Sequence, residues 1–121
     1  MNVYVAGRHR AAVSFIQSEL RSAGHSIAYD WTLGFPGERT AKTAQRELDA
    51  AVNADATVLV CEVREGQHLL GALIEAGAAL SHGKPLILYR PQADSIFWLL
   101  PNVYPVESPL GVFMALKKAA A

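Results

Sequence analysis

Residues 57–63 read TVLVCEV, and this stretch decides the fold class. Its residues are nearly all apolar and several are β-branched, which is typical of a central strand covered by helices on both faces. Strands of this kind belong to parallel sheets, in which a helix returns the chain from one strand to the next. We therefore expect a parallel sheet with residues 57–63 near its centre.

The remaining sequence alternates between short strand patterns and longer helical patterns, as repeated βα units do. Four further segments have the pattern of strands, at residues 2–6, 26–29, 85–89 and 103–106. Helical spacing predicts helices at residues 13–23, 41–52 and 70–80, and Ser108 before Pro109 is a typical helix start. The most economical arrangement is one α/β domain over residues 1–121, with a doubly wound, five-stranded parallel sheet in a flavodoxin-like or Rossmann-like three-layer sandwich.

Apolar spacing also predicts how two of the helices are oriented. In the second helix, with Thr40 as its cap, the inward residues are expected to be Ala41, Ala44, Leu48, Ala51 and Val52. In the third helix the apolar stripe consists of Leu70, Leu73, Ile74, Gly77 and Ala78. Glu75 adjoins that stripe, where a carboxylate is unusual unless it has a function.

The composition describes a chain that is neither strongly acidic nor strongly basic. Eleven Lys and Arg balance 11 Asp and Glu, and the basic residues are scattered, so we expect a small-molecule ligand and no nucleic acid. The lone Cys61 has no disulfide partner, and the four histidines lack metal-ligand spacing. No apolar run approaches the ~20 residues that cross a membrane, and no leader pattern opens the chain, so we expect a cytoplasmic protein.

In a doubly wound sheet, ligands bind beyond the carboxyl ends of the strands, where the strand order reverses. This rule brings together the loops at residues 7–10 and 64–71. Glu75 follows in the early turns of the third helix, whose N-terminus is expected to favour the ionised form that a nucleophile needs. A half-exposed surface glutamate is the plainer interpretation. Walker, G-x-G-x-x-G and G-x-S-x-G motifs are missing from the sequence, and we expect no cofactor.

Residues 71–85, GALIEAGAALSHGKP, resemble the nucleoside 2-deoxyribosyltransferase-like superfamily. The helix of that superfamily has Gly, three residues, Glu, one residue and Gly, then small residues and Gly-Lys-Pro. Residues 3–7 (VYVAG) and 24–31 (GHSIAYDW) are similar to its first two strands. Residues 96–103 (IFWLLPNV) resemble its small bacterial and phage branch, which is related to nucleoside 5′-monophosphate N-glycosidases. The resemblance covers most of the chain in the family's order.

The resemblance implies an enzyme that acts on the N-glycosidic bond of a nucleoside or nucleotide. Glu75 corresponds to the family's nucleophile, which attacks the anomeric carbon and expels the base. Tyr4 corresponds to the strand tyrosine that orients this glutamate. The carboxylate that helps to protonate the leaving base falls on Glu47, with Asp49 two residues further on. Without the resemblance, Tyr4 is an ordinary strand aromatic, and Glu47 and Asp49 are ordinary surface charges.

The two loops supply the expected substrate-binding residues, which are Gly7, Arg8, His9, Arg10, Gln67, His68 and Gly71. Arg10 falls where nucleotide-hydrolysing relatives have an arginine, although a solvated basic loop is an equal alternative. Leu69 departs from the family, which often has Asp or Ser there to contact the 5′ group of the sugar. Gln67 or His68 could replace that contact; otherwise the site has moved away from nucleoside chemistry.

Several alternatives stay open at the level of sequence. Hydrolase and transferase differ only in whether water or a second base resolves the intermediate, and a catalytically silent nucleotide-binding or sensing module is a further possibility. Members of the family are typically homodimers or higher oligomers, so the resemblance implies a homo-oligomer, with the apolar segment at residues 96–100 as the expected contact. The aromatic residues Trp31, Phe35, Phe97 and Trp98 could stack on a base, but packing is the commoner role.

Overall fold

The computed structural model describes residues 1–34 and 39–121. Its strands are Asn2–Gly7 (β1), Ser26–Ile27 (β2), Ala56–Val60 (β3), Leu86–Tyr89 (β4) and Val103–Val106 (β5). The α-helices of the described part are Arg10–Ser22 (α1), Ala41–Asn53 (α2), Leu70–Ser81 (α3) and Pro109–Ala120 (α4), with short 3-10 helices at Trp31–Leu33 and Ile96–Leu99. None of these helices is both long and apolar enough to span a membrane.

The five strands form one parallel sheet in the order β2-β1-β3-β4-β5. This confirms the predicted doubly wound α/β fold. β3 lies at the centre and is buried along its whole length, as its apolar sequence predicts. The strand itself ends at Val60, three residues before the end of the predicted strand, and β2 is only two residues long. The order reverses between β1 and β3, which places the switch point at their carboxyl ends.

Alternating residues of the strands build one core on each face of the sheet. In β1, Val3 and Val5 pack toward α1 and α4, whereas Tyr4 and Ala6 pack toward α2 and α3. Cys61, just after β3, lies on the second face. This alternation determines which side chains of β1 can reach α3.

The predicted helix caps are confirmed. Thr40 Oγ1 accepts a hydrogen bond of 3.1 Å from the Thr43 amide at the start of α2. Ser108 Oγ accepts one of 3.1 Å from the Gly111 amide at the start of α4, where Pro109 is the first residue of the helix. These side chains satisfy amides that have no partner within the helix.

The predicted inward faces of α2 and α3 are partly wrong. In α2 only Ala51 of the expected set is buried, and Ala41 and Ala44 are exposed. In α3 the apolar stripe faces outward, since Leu70 is 71% and Ile74 is 58% exposed. The buried side of α3 consists instead of Ala72, Glu75, Ala76 and Ala79. Small residues on that side allow the helix to approach the sheet closely.

Candidate active site

A tyrosine and a glutamate meet between the sheet and α3. Strand alternation turns Tyr4 of β1 toward the face that α2 and α3 cover. Its hydroxyl donates a hydrogen bond to Oε2 of Glu75, with 2.5 Å between the two oxygens. Tyr4 is fully buried, and Glu75 is 9% exposed. The structure thus joins the residues that the resemblance implied as nucleophile and orienting partner.

The pKa of Glu75 is raised to about 7. Burial is the largest cause, because removal from water disfavours the charged carboxylate; the hydrogen bond from Tyr4 lowers the pKa, and the charge of Glu47 raises it. The prediction that the helix N-terminus keeps Glu75 ionised is wrong. Glu75 lies in the second turn of α3, beyond the first turn in which the helix dipole acts most strongly. The carboxyl group therefore exchanges its proton near neutral pH.

Glu47 is the second carboxyl group near this pair. It lies on α2, one turn before the buried Ala51, and is half-buried. Burial raises the pKa of Glu47. Burial is also the main cause of the raised pKa of Tyr4, followed by the charge and hydrogen bond of Glu75 and then the charge of Glu47. Tyr4, Glu47 and Glu75 therefore act on one another electrostatically, and we call them the carboxylate cluster.

Asp49 lies away from the carboxylate cluster. Two residues along an α-helix correspond to a rotation of about 200°, so Asp49 and Glu47 point in nearly opposite directions from α2. Asp49 is exposed and accepts a hydrogen bond of 2.8 Å from Nε2 of Gln45. It borders a groove between α2, the start of β1 and the residues that follow β2. Of the two carboxylates predicted on α2, only Glu47 affects the pKa values of Tyr4 and Glu75.

Gly7 is the last residue of β1, and Arg8 begins the loop that follows it. A Cβ on Gly7 would lie 2.6 Å from Cγ2 of Val13 and 3.2 Å from the carbonyl oxygen of Val60. Gly7 therefore has a packing role between β1, α1 and β3. Arg8 is exposed at the carboxyl edge of the sheet.

The side chain of Arg10 binds to the segment that follows β2. Its guanidinium donates hydrogen bonds to the carbonyl of Thr32 and, at 3.4 Å, to that of Gly34. The same group lies 5.7 Å from the ring centroid of Trp31. These contacts give Arg10 a structural role at the start of α1.

His9 connects the two loops of the switch point. Nε of Arg64 donates a hydrogen bond of 3.3 Å to Nε2 of His9, which also lies 3.6 Å from Oε2 of Glu62. Glu62 and Arg64 belong to the segment after β3. The loops after β1 and β3 therefore lie side by side, as the predicted strand order requires.

The loop before α3 offers few side chains to a ligand. Oε1 of Gln67 accepts a hydrogen bond of 2.9 Å from the Arg64 amide, so this side chain folds back on its own loop. His68 is exposed. Leu69 packs against the apolar cluster below and gives α3 no side-chain cap. Gly71, one turn before Glu75, is exposed and has open space where a side chain would stand.

A cavity of about 710 Å³ lies on the side of α3 away from Glu75. It is mostly apolar, and its lining includes Leu69, Leu73, Phe97 and Trp98. The indole of Trp98 donates a hydrogen bond of 3.1 Å to the Ala93 carbonyl. Burial raises the pKa of Cys61, another lining residue, to about 11, so its thiol stays protonated.

The aromatic residues considered for base stacking lie away from the carboxylate cluster or are engaged elsewhere. Phe97 and Trp98 belong to the cavity beyond α3. The indole of Trp31 donates a hydrogen bond of 2.8 Å to the Val5 carbonyl at the edge of the sheet. Phe35 lies outside the described residues. Within residues 1–34 and 39–121, no three His, Cys, Asp or Glu side chains are grouped so that they could hold a metal ion.

Comparison with solved structures identifies the fold. The 2-deoxyribosyltransferase of the psychrotolerant bacterium Bacillus psychrosaccharolyticus matches with a TM-score of 0.71 and 18% identity, over 93% of this chain and 90% of that one. The chain has the 2-deoxyribosyltransferase fold. The CMP N-glycosidase of Clostridium botulinum matches with a TM-score of 0.66 and 16% identity, over 98% and 99% of the two chains. No protein-family model and no curated protein sequence matches this chain.

The 2-deoxyribosyltransferase fold of this chain extends from β1 to α4, since both matches cover more than nine-tenths of it. The carboxylate cluster lies on the α2 and α3 side of this fold, near the point where the strand order reverses. This is the part of a doubly wound sheet where ligands bind in general. Fold topology and the buried carboxyl groups therefore indicate the same region as the candidate active site.

Proposed function

We propose that this protein breaks the N-glycosidic bond of a nucleoside or nucleotide, with Glu75 as its nucleophile. The hydrogen bond of 2.5 Å from Tyr4 to Oε2 of Glu75 carries the proposal. Because Tyr4 holds Oε2, the other oxygen keeps its lone pairs for attack on the anomeric carbon. The similar structures of a 2-deoxyribosyltransferase and a CMP N-glycosidase support this class of reaction.

The reaction is a double displacement. Oε1 of ionised Glu75 forms a bond to C1′ of the sugar while the C1′–N bond breaks, and the electron pair of that bond leaves with the base. Glu47 delivers a proton to the base, the role that the resemblance implies for it. Water or a second base then attacks C1′, passes its proton to the ionised Glu47 and displaces Glu75. The first acceptor gives hydrolysis and the second gives transfer.

The surroundings of Glu75 favour the transition state over the free enzyme. Burial disfavours the negative charge of this carboxylate, and within the described residues no salt bridge joins it to a cationic side chain. The sugar becomes positively charged as the base departs, so in the transition state the sugar is the positive partner that the Glu75 carboxylate otherwise lacks. An interaction that strengthens only at that moment lowers the barrier.

The proposal is tested by measuring release of free base from a panel of nucleosides and their 5′-monophosphates. We expect wild type to release base from at least one of them and Glu75→Gln to lose this activity by several orders of magnitude. Glu65→Gln, at an exposed glutamate before α3, is the matched control and should retain it. A second free base, added to the active mixture, separates transfer from hydrolysis. Full activity in Glu75→Gln would contradict the proposal.

A nucleotide-binding module without turnover is the second candidate. It is favoured by Leu69, whose side chain packs into the apolar cluster and offers no polar atom to a sugar or phosphate. In this case, calorimetry would detect a nucleoside or nucleotide binding to wild type with no base released. Base release that depends on Glu75 would exclude this candidate.

We also propose that a second copy of the chain covers the outward side of α3. Large apolar residues are exposed on α3 and on the neighbouring 3-10 helix, namely Leu70, Leu73, Ile74, Ile96, Phe97 and Leu99. Contiguous apolar surface of this kind is typical of subunit contacts. Leu99 is 81% exposed, so Leu99→Asp should disturb association without disturbing the core. A monomer mass for wild type in light scattering would refute this assembly.

A further inference from the structure

Gly77 lies in the interior of α3, where the fold itself gives no reason for a glycine. It is the eighth of the 12 residues of this helix, and only proline is less favourable than glycine in a helix interior. A Cβ on Gly77 would meet nothing within 4 Å, whereas one on Gly7 would clash with Val13. Its φ is not positive, so the backbone does not need a glycine either. Gly77 therefore weakens α3 and leaves the helix backbone open to the space in front of it.

The space in front of Gly77 is the cavity of about 710 Å³ between α3 and the segment after β4. This volume is typical of small-molecule sites, which range from about 300 to 1,000 Å³. Cys61 follows β3, Pro91 follows β4, and both line the cavity, so it lies at the carboxyl ends of two neighbouring strands. Ligands of doubly wound folds bind on this edge of the sheet. The cavity is also distinct from most of the outward apolar surface of α3 and its neighbouring 3-10 helix, since four residues of that surface do not line it, namely Leu70, Ile74, Ile96 and Leu99.

Trp98 gives the cavity a fixed aromatic wall. Its indole donates the hydrogen bond of 3.1 Å to the Ala93 carbonyl, and its amide donates one of 3.0 Å to the Ser95 carbonyl. Phe97 is a second aromatic residue of the lining. Aromatic side chains stack on flat rings, and a glycine lets such a ring approach the helix backbone closely. The lining of the cavity therefore favours a flat aromatic ligand.

Asp94 is the one charged residue of the lining, and no lysine, arginine or histidine from the described part of the chain joins it there. Its Oδ1 accepts a hydrogen bond of 2.8 Å from the Ser95 amide. Its Oδ2 forms none with the residues that the structure describes, so it can accept an N–H from a ligand. A phosphate or a carboxylate would meet this negative charge without a cation to offset it. The cavity therefore favours an uncharged ligand with an N–H group on its edge.

We infer that the cavity between α3 and the segment after β4 is a binding site for a free nucleobase. A nucleobase is a flat, uncharged heteroaromatic ring with N–H donors on its edge, so it matches the aromatic wall, the open glycine and the free oxygen of Asp94. A nucleotide does not match, because its phosphate is negatively charged. The choice of a nucleobase among such molecules rests on the proposed function, whose reaction releases a base and, in transfer, takes up a second one. The site is separate from the carboxylate cluster, because Glu75 turns from α3 toward Tyr4 and does not line the cavity.

The test is a calorimetric titration of adenine and cytosine into wild type and Gly77→Phe. A Cβ has room at this position, and the ring beyond it would occupy the space of the ligand ring. We expect wild type to bind at least one base with a Kd below about 1 mM, and Gly77→Phe to bind it at least about 10-fold more weakly. Asp94→Ala should also weaken binding, by about 10-fold. Ser18→Phe, at an exposed position of α1 on the other face of the sheet, is the matched control and should bind as wild type does.

Gly77→Ala tests whether the glycine serves the cavity or the fold. It should unfold at a higher urea concentration than wild type, because alanine favours a helix and has room here. A lower midpoint would show that the fold needs this glycine and would overturn the inference.

The binding results separate this inference from the proposed function. Base binding that survives unchanged in Gly77→Phe would overturn the inference, because the base would then lie outside the cavity. No binding to wild type would overturn it too, and a changed mass of Gly77→Phe in light scattering would then show that a second copy fills the cavity. Base binding to wild type without any base release would contradict the proposed function and leave the binding site standing.

Discussion

Replacing Glu75 with glutamine should stabilise the protein in alkaline solution and have little effect on stability in acid. Glutamine has the shape of glutamate, and its amide oxygen can accept the hydrogen bond from Tyr4, but it carries no charge to bury. The folded-state pKa of Glu75 is about 7, against an ordinary value of 4.5. Each pKa unit corresponds to about 1.4 kcal/mol, so the buried charge destabilises the native state by about 3 kcal/mol once it is ionised.

The sign follows from which state loses its proton first. Below pH 4.5 the carboxyl is protonated in both the folded and the unfolded chain, and Glu75 contributes nothing. Between pH 4.5 and 7 the unfolded chain ionises first, so the free energy of unfolding falls as pH rises. Above pH 7 both states are ionised and the full loss is present. The gain from Glu75→Gln should therefore grow across this range.

Urea denaturation of wild type and Glu75→Gln measures this difference directly. We expect the variant to be more stable by less than about 1 kcal/mol at pH 5 and by about 3 kcal/mol at pH 8.5. Glu65→Gln removes an exposed carboxylate and should change stability by less than about 0.5 kcal/mol at either pH. An equal effect of Glu75→Gln at the two pH values would refute the argument, because a packing change does not depend on this ionisation.

Three further changes test the cluster and the fold. Tyr4→Phe removes the hydrogen bond that lowers the pKa of Glu75, so the rise of base release with pH should move to higher pH; an unmoved profile would contradict this. Gly7→Ala should lower the free energy of unfolding by about 1–3 kcal/mol, because its Cβ would clash with Val13, and denaturation measures the loss. Ser108→Ala removes the cap of α4 and should cost about 1 kcal/mol in the same assay.

The sequence predicted the sheet well because its signal is local. The apolar run at residues 57–63 is continuous, and a strand buried on both faces requires such a run. The caps Thr40 and Ser108 were equally predictable from the sequence, since a cap side chain binds an amide only two or three residues away. Strand order then placed the loops after β1 and β3 side by side.

The orientation of α3 could not be predicted from spacing. Two stripes of this helix have helical spacing, one containing Leu70, Leu73 and Ile74 and the other built from Ala72, Ala76 and Ala79. Hydrophobicity predicts that the first stripe is buried. The sheet packs against the second stripe instead, because its small residues allow closer packing. The protonation of Glu75 was predicted wrongly for the same reason. It depends on how deeply that side of α3 is buried, which is a property of the folded chain.

Sequence patterns identify residues by local spacing, whereas the side chains that meet in a site are set by contacts that are distant along the chain. The same limit applies to the choice between Glu47 and Asp49. Only the rotation of α2 about its axis decides which of the two reaches the carboxylate cluster.

Burial of Glu75 connects the stability of the protein with its proposed chemistry. A carboxylate kept only for structure would be expected to stabilise the fold through a partner, but the buried ionised form of Glu75 opposes folding. A residue that destabilises the native state persists where activity requires it. Glu75→Gln should therefore gain stability at pH 8.5 and lose base release in the same protein sample. A structural role predicts neither the gain nor its pairing with that loss, so the two measurements together separate a nucleophile from a packing residue.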